Sequence, residues 1–510
     1  MSTRYMKKLF GNDIDKEQNK ELEDEINDLH IEREIKKSFN VFDLLNENCE
    51  NDIEDTDEVK IGEQEQNCNK MSKSKKKKKT RQKHAYEIDK EIDKEMNKQL
   101  MESRLSAGLS SSQIITKKRR LTREILMVEC KVYVYPKIFQ NKLKTRPHNK
   151  YLRKTWLVSA HEKNIDVASR SGLSMYVTES ISFPTRLHFN YKYNHSYNQI
   201  QIQFYQAVVS SDIQTIFNIA HAHPYHVDSL LHCANFYKIT YNLAMSAKFI
   251  EQALFYLEYA FHPKFMKNYL MDYNRKENRA LFIALFKRLI LVGDLSFYRT
   301  SLELCKLLML LDSDDPLAVS LMIDFYAIRS KEYEWFCEFC DSTYLTRNLN
   351  IIYSLSLAYF YLGKYETANE YLQKALFTYP TVLIPLLEAC NQRIDSKIIS
   401  HKFFCERPYG ITMKLQEIYI ARCSSLWKKA ETLRWLVKQT EIILNEINAN
   451  DGPTLIKQRG IKRDAYHLSF KSVLRHVVLS DLKDVTVTAQ ELQSGDTIYP
   501  HDPLPPRDDT

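Results

Sequence analysis

The segment Tyr353–Pro380, YSLSLAYFYLGKYETANEYLQKALFTYP, constrains the fold of this chain most strongly. Its small residues Ser356, Ala368 and Ala375 stand where two antiparallel helices would touch, because small side chains allow helix axes to approach closely. Gly363 lies between the two stretches of helical periodicity. The segment therefore predicts a pair of packed helices.

The spacing of these residues is that of a tetratricopeptide repeat. Val227–Ala260 fits the same template more loosely, and Thr300–Leu311 is similar to the second helix of another unit. Each helix pair of such an array buries its apolar face only against its neighbours. We therefore expect an all-α fold, namely an α-solenoid of tetratricopeptide-like helix pairs with a disordered, charged N-terminal tail.

Glycine and proline are scarce, with 10 and 14 among 510 residues, which supports a mostly helical chain. The scarcity argues against a turn-rich β-sandwich and against a glycine-dependent nucleotide-binding fold. Ten cysteines, with no secretory signal in Met1–Phe10, predict reduced thiols in a reducing compartment. The most apolar stretch, Leu281–Leu295, contains Lys287, Arg288 and Asp294, so we expect no membrane-spanning segment and no membrane partner.

The net charge of +8 is unevenly distributed. Lys73–Lys83 contains eight Lys or Arg and no acid, and Lys117–Lys154 contains thirteen against two acids. Such runs stay hydrated until a polyanion binds them, and the interspersed tyrosines favour RNA over a membrane. The alternative interpretation of Lys75–Lys79 is a nuclear-import signal or a tract that only keeps the chain in solution, and it is compatible with RNA binding. The candidate ribosome- or RNA-binding residues are Lys75, Lys76, Lys77, Lys78, Lys79, Lys117, Lys118, Arg119, Arg120, Arg153 and Lys154.

The composition divides the chain into four regions. We expect residues 1–115 to form a disordered tail with short helices, acidic at first and then lysine-rich. Residues 116–200 predict a basic extended or irregular segment, and residues 201–485 predict the tetratricopeptide-like solenoid. Residues 486–510 predict an extended C-terminal segment.

The motifs of common enzymes are absent from the sequence. It contains no glycine-rich phosphate loop and no G-x-S-x-G elbow. Cys337 and Cys340 have C-x-x-C spacing without a second pair, which favours core cysteines over zinc. The cluster His221, His223 and His226 is interrupted by a proline and favours packing, and Asp312–Asp315 favours turn and capping roles. We expect no enzymatic activity, no metal and no cofactor.

Several strings together resemble one family, ribosome quality control complex subunit 1, known in animals as transcription factor 25 or nuclear localised protein 1. The resemblance runs in order from about residue 117 to residue 506. The strings are TWL (Thr155–Leu157), RSGLSM (Arg170–Met175), HPYHVDSLL (His223–Leu231), ALFYLEYAFHPKF (Ala253–Phe265), DYNRKENRALFIALFK (Asp272–Lys287), SLELCKLLMLLDSDDPL (Ser301–Leu317), YPTVLIPLLEAC (Tyr379–Cys390), LRHVVLSDLK (Leu474–Lys483) and DPLPP (Asp502–Pro506).

The resemblance implies a subunit that acts on stalled large ribosomal subunits carrying an unfinished nascent chain. The implied partners are ribosomal RNA of the large subunit, a listerin-type ubiquitin ligase, a nascent-chain-tailing factor, ubiquitin and the AAA ATPase valosin-containing protein. Members of the family favour degradative ubiquitin chains. The candidate partner-binding residues within the shared strings are Trp156, His226, Asp228, Arg275, Asn278 and Arg279.

Two functional hypotheses follow from these observations. The first is a non-enzymatic, cytoplasmic scaffold of ribosome quality control. The candidate RNA-binding residues form a basic arm that attaches the chain to the large subunit, and the solenoid orients the ligase and ubiquitin. The alternative is a nuclear DNA-associated transcriptional repressor that uses Lys75–Lys79 for import. The sequence lacks a helix–turn–helix, zinc-finger or basic helix–loop–helix signature that would support the alternative.

Overall fold

The computed structural model describes residues 157–158, 167–179, 187–265, 270–343, 345–406, 408, 410–449, 468–493 and 495–506. All of these residues belong to one compact unit. The described part is predominantly helical, and consecutive helices pack on each other, which confirms the predicted α-solenoid. No helix of the described part is long and apolar enough to cross a membrane.

Five helix pairs form the array. The two helices of each pair pack on each other, and neighbouring pairs also pack together. Three further helices, two of them short, follow the array before the longer helices near the C-terminus. The helices are α1 (His195–Val209), α2 (Ile213–Ala222), α3 (Val227–Ile239), α4 (Leu243–Tyr259), α5 (Lys276–Asp294), α6 (Tyr298–Leu311), α7 (Ile323–Arg329), α8 (Tyr333–Ser342), α9 (Leu349–Tyr361), α10 (Tyr365–Thr378), α11 (Leu383–Ala389), α12 (Ser396–Ile399), α13 (Lys402–Cys405), α14 (Gly410–Trp427), α15 (Ala430–Ala449) and α16 (Phe470–Ser480).

The same three-residue turn joins the two helices of every pair. In the pair α9–α10, the N–H of Gly363 donates to Phe360 O at 3.0 Å and the N–H of Lys364 donates to Tyr359 O at 3.0 Å. This is the Schellman arrangement, which requires a left-handed residue just beyond the helix end. The left-handed residues of the five turns are Ser211, Tyr241, Ser296, Lys331 and Gly363.

A small residue at the fifth position after the left-handed residue sets the packing in three of the pairs. The Ser246 hydroxyl donates to Ala234 O at 2.7 Å, and the Ser301 hydroxyl donates to Leu289 O at 3.3 Å. Ala368 occupies the same position in α10 and is fully buried. A side chain that is small, or that bonds the facing backbone, lets the second helix approach the first.

Two C-terminal helices, α14 and α16, cover the face formed by the first helices of the last three pairs, α5, α7 and α9. Helix α14 packs against α7 and α9, and α16 packs against α5 and α14. The buried guanidinium of Arg422 donates to Leu321 O at 2.9 Å and to His476 Nε2 at 2.7 Å. His476 in turn donates from Nδ1 to Leu317 O at 3.1 Å and places its ring edge-on to Phe286. The array therefore binds its own C-terminal part along this face.

A β-hairpin precedes the helices, formed by β1 (Leu173–Glu179) and β2 (Leu187–Tyr193), with Leu173 opposite Tyr193 in antiparallel register. Gly172 begins it with φ +76°, and a Cβ there would lie 2.3 Å from the Asn194 side chain. The sequence predicted a basic extended or irregular segment over residues 116–200 but gave no strand pairing within it. Phe189 on β2 is fully buried and packs edge-on to Phe265, so the hairpin belongs to the core.

Candidate functional site

Most of the residues predicted to bind partners come together in the structure. His226, Asp228, Asn278 and Arg279 are buried where the hairpin, α1, α3, α5 and the C-terminal segment meet. We call this site the polar junction, and its members are Gln201, His226, Asp228, Asn278, Arg279 and Asp502. Arg275 lies at its edge, is exposed, and donates to the Tyr176 hydroxyl at 3.1 Å.

His226, Gln201 and Asp228 form a hydrogen-bonded chain. Gln201 donates from Nε2 to Asp228 Oδ2 at 2.6 Å, and its Oε1 lies 3.0 Å from His226 Nε2. His226 is also the N-cap of α3, because its Nδ1 accepts the Ser229 N–H at 3.3 Å. Nδ1 as acceptor fixes the proton on Nε2, so the imidazole is neutral. Burial lowers the pKa of His226 to about 3, which agrees with this assignment.

The Asn278 side chain forms a hydrogen bond with the backbone of β2 that a neighbouring strand would otherwise form. Its Oδ1 accepts the Tyr191 N–H at 3.0 Å, and its Nδ2 donates to Asn190 Oδ1 at 3.0 Å and to Asp272 O at 2.8 Å. A fully buried amide that satisfies a strand N–H avoids the cost of an unpaired backbone group. Asn278 therefore fixes the hairpin to the start of α5.

Arg279 ties the C-terminal segment to the array. Its guanidinium donates to Tyr273 O at 3.3 Å, to Asn274 O at 2.9 Å and to the carboxylate of Asp502 at 2.9 Å. Arg475 on α16 adds a second tie by donating to Leu504 O at 2.7 Å. The string DPLPP is thus anchored at its first and third residues. The structure gives it a bonding role within the chain.

The pH dependence of stability tests the environment of Asp228. Burial raises the pKa of this carboxyl to about 6. A raised carboxyl pKa stabilises the fold at low pH, and this contribution is lost as pH rises from about 4 through about 6. Asp228→Asn keeps an oxygen to accept from Gln201 and removes the charge. We expect the variant to gain about 3 kcal/mol relative to the parent between pH 4 and pH 7.

Denaturant melts of the parent and Asp228→Asn across that pH range measure this difference directly. Asp212→Asn serves as the control, because Asp212 is an exposed N-cap whose pKa is lowered by hydrogen bonds from Thr215. Its contribution has the opposite sign and is lost as pH falls. A difference curve for Asp228→Asn that stays flat from pH 4 to pH 7 would contradict the assignment.

A cleft of about 460 Å³ opens beside the polar junction. It lies between the chain entering α5, the turn after α6, the start of α16 and the C-terminal segment. Its two cations have partners within the lining, since Lys471 bonds Asp496 at 2.8 Å and Arg475 donates to Pro316 O at 3.2 Å. The lining residues include Tyr273, Asp312, Asp314, Lys471, Arg475, Glu491 and Asp496.

The remaining candidates from the sequence have structural partners. Cys337 and Cys340 are buried free cysteines on α8. Asp315 accepts the Val319 N–H at 2.7 Å and the Ser320 N–H at 2.8 Å, and Asp312 accepts the N–H groups of Tyr273 and Asp314. These bonds agree with the predicted turn and capping roles. No group of three or more metal-binding side chains converges within the described residues.

The basic arm lies outside the described residues. This applies to Lys75–Lys79, Lys117–Arg120, Arg153, Lys154 and Trp156. RNA binding by the arm and partner binding by Trp156 therefore stay predictions. Partner binding by the polar junction is a prediction as well, because the contacts described for its buried members lie within the chain.

Sequence reasoning missed two buried ionic groups. Glu303 and Lys306 on α6 are both fully buried, with Lys306 Nζ 2.9 Å from Glu303 Oε1. The Lys306 ammonium also lies 4.0 Å from the centre of the Trp335 ring. The signal available was the string SLELCKLL, where two charges interrupt an otherwise apolar helix at i and i+3. Gln201 and Asp502 of the junction gave no comparable signal.

The fold and the junction together define a class of protein: an α-solenoid closed by its own C-terminal segment. The family model described as "Transcriptional repressor TCF25" matches residues 189–506. The chain belongs to this Tcf25 family. No solved structure matches the chain.

The curated relatives carry two kinds of name. "Ribosome quality control complex subunit TCF25" of Homo sapiens is 32% identical over 386 residues, which cover 70% of this chain and 56% of the relative. "Ribosome quality control complex subunit 1" of Schizosaccharomyces pombe is 26% identical over 268 residues, covering 51% of this chain and 40% of the relative. "Probable transcription factor claV" of Ampulloclitocybe clavipes is 24% identical over 277 residues, covering 48% and 35%. The matched regions cover between about a third and just over half of the length of these relatives.

Proposed function

We propose that the chain is a non-enzymatic scaffold of ribosome quality control. It binds stalled large ribosomal subunits and orients a listerin-type ubiquitin ligase and ubiquitin toward the incomplete nascent chain. The observation that carries this proposal is membership of the Tcf25 family, whose relatives in animals and yeasts are named as ribosome quality control subunits. The nascent-chain-tailing factor and the AAA ATPase valosin-containing protein complete the set of proposed partners.

The described helices support a scaffold because they form a stiff array. Their contacts are made by buried small and aromatic residues, and the C-terminal helices brace the face formed by α5, α7 and α9. A stiff body that holds two partners raises their effective concentration without contributing a reacting group. Because the braced face is occupied, the partners of the array bind to its turns and its outer helices.

The basic arm supports attachment to the ribosome. Its cations would neutralise RNA phosphates and release counterions, which gives affinity without sequence recognition. Lys75–Lys79 and the run Lys117–Arg120 are the densest cationic groups of the arm. Binding of this kind weakens steeply as salt rises.

Replacement of seven arm cations by glutamine tests the attachment. For the variant with Lys75–Lys79, Arg119 and Arg120 changed, we expect on the order of tenfold or more weaker co-sedimentation with large subunits, and a shallower salt dependence. Sedimentation through sucrose across a salt series measures both. The matched control changes seven exposed lysines of the described part to glutamine, namely Lys192, Lys248, Lys264, Lys374, Lys397, Lys402 and Lys438. Equal sedimentation of the two variants at every salt concentration would overturn the attachment by the arm.

A nuclear repressor is the second candidate function. It is favoured by the description of the family as a transcriptional repressor and by the relative named as a probable transcription factor. Cell fractionation before and after induced ribosome stalling distinguishes the two. The scaffold proposal expects the protein in the cytoplasm, with its large-subunit fraction rising on stalling. A nuclear, chromatin-bound protein that does not respond to stalling would favour the repressor.

A further inference from the structure

The turns of the fourth and fifth helix pairs and the turn between α14 and α15 meet at one place on the surface. The Lys429 ammonium lies 4.7 Å from the centre of the Tyr361 ring, which stacks on Tyr333 at 5.2 Å. Arg329 donates to the Ser425 hydroxyl at 2.7 Å. These contacts join three turns that are distant in sequence into one surface.

This surface is rich in cations, and we call it the cationic turn patch. Its members are Arg329, Lys331, Lys364, Lys428, Lys429 and Arg434. The four lysines are exposed and occupy the turns themselves, Lys331 at the left-handed position and Lys364 directly after the left-handed Gly363. The corresponding turns of the first three pairs, residues 210–212, 240–242 and 295–297, contain no lysine or arginine.

The turns that form the patch carry more cations than carboxylates. Residues 330–332, 362–364 and 428–429 contain four lysines and one acid, Glu332. Glu332 forms an ion pair with Arg299, which lies outside the patch. The charge of the turns themselves is therefore positive.

An exposed aromatic ring stands within the same surface. The Tyr365 side chain is 58% exposed and follows Lys364 directly. Its ring meets Phe360 edge-on at 5.5 Å, and Phe360 stacks on Trp435 at 4.6 Å. The packed pair Phe360 and Trp435 thus supports the Tyr365 ring on one side, while much of the ring is exposed to solvent. A supported, open ring beside cations is the arrangement on which single-stranded bases stack.

We propose that the cationic turn patch binds a single-stranded or looped segment of RNA. The lysines contact its phosphates, and Tyr365 stacks on one of its bases. This inference rests on the proposed function and deepens it, because it gives the solenoid an RNA contact separate from the basic arm. An acidic protein segment could pair with the lysines but has no base to stack on Tyr365, so RNA explains both features.

The test uses the full chain and a fluorescein-labelled oligouridylate of about 12 nucleotides, within the span of known single-strand sites. The patch variant carries Lys331→Gln, Lys364→Gln, Lys428→Gln and Lys429→Gln. The control carries the same change at Lys248, Lys264, Lys397 and Lys402, which are exposed elsewhere in the described part. Fluorescence anisotropy across salt from about 50 to 200 mM gives the affinity and its salt slope. Circular dichroism confirms equal helicity of the variants.

We expect the patch variant to bind about tenfold or more weakly than the control, with a logarithmic salt slope shallower by about 2 to 3. Tyr365→Ala is expected to weaken binding about tenfold at every salt concentration, whereas Tyr365→Phe keeps the affinity. The proposal is overturned if the patch variant and the control bind the oligouridylate equally. Polyglutamate is titrated against the same variants. The proposal is also overturned if the patch variant loses binding to polyglutamate while its affinity for the oligouridylate is unchanged, since the surface would then bind an acidic protein.

The outcome is separable from that of the proposed function. An arm variant that still sediments with large subunits contradicts attachment by the arm and leaves the oligouridylate result intact. A patch variant that binds RNA like its control removes the second contact and leaves the scaffold proposal in place.

Discussion

Ala375→Glu is expected to unfold the fifth helix pair and to disrupt the array that depends on it. Ala375 lies on α10, is fully buried, and belongs with Ser356 and Ala368 to the small residues of the α9–α10 contact. A glutamate there must either bury an unpaired carboxylate or force the helices apart. The expected loss is about 4 kcal/mol or more, a large part of the stability of an ordinary domain.

The adjacent residue provides the control for this prediction. Lys374 is exposed on the same helix, so Lys374→Glu introduces the same side chain without burial. Its effect should stay within about 0.5 kcal/mol. Urea melts followed by circular dichroism measure both variants. If Ala375→Glu unfolds at the same urea concentration as Lys374→Glu, the repeat register assigned to α9 and α10 is wrong.

Glu303→Leu is expected to be the second most damaging change. It removes the carboxylate whose Oε1 lies 2.9 Å from the ammonium of the fully buried Lys306. Breaking a buried ion pair by removing one partner costs about 3 to 5 kcal/mol, whereas replacing both charges by apolar groups is often neutral. The double variant Glu303→Leu with Lys306→Met should therefore recover part of the loss. The rest belongs to the ion pair that Glu303 also forms with the partly exposed Arg299 at 3.4 Å.

A surface ion pair supplies the comparison. Arg288 pairs with the exposed Glu251, so Glu251→Leu should cost less than about 1 kcal/mol. Thermal melts of the parent, both single variants, the double variant and the surface control form a double-mutant cycle with its reference. A double variant that loses as much as the sum of its two single variants would show that the charges do not interact.

The helical array was predictable only where the sequence obeys the general rules of repeats and turns. Gly363 marked the turn of the fifth pair because glycine adopts the left-handed conformation without steric cost. Ser211, Tyr241, Ser296 and Lys331 adopt the same conformation in the other four turns. Since these residue types favour no such turn, tertiary packing decides their conformation, and the sequence carries no local sign of it.

The sequence predicted four members of the polar junction, but it did not predict that they are buried together. His226, Asp228, Asn278 and Arg279 were found through shared strings, which carry no information on burial. Their partners Gln201 and Asp502 lie far away in sequence, and Arg279 reaches Asp502 across 223 positions. Contacts of that separation depend on the packing of the whole array. The same reason explains why the cover formed by α14 and α16 gave no signal in the sequence.

The cationic turn patch shows the same limitation. Its lysines come from three turns, and each turn alone is an ordinary polar connection. The stacking of Tyr361 on Tyr333, the position of Lys429 over the Tyr361 ring and the Arg329–Ser425 hydrogen bond show that the turns share a surface. The patch therefore became visible through the fold and not through any run of charge.

Crosslinking mass spectrometry on purified, stalled large-subunit complexes tests the central claim most directly. If the chain acts by positioning the ligase on the large subunit, lysines of the basic arm will crosslink to large-subunit proteins. Lysines of the helical array will crosslink to the ubiquitin ligase in the same particles. Complexes that contain the ligase and an unfinished nascent chain, but give no crosslinks from this chain to either the subunit or the ligase, would contradict the claim.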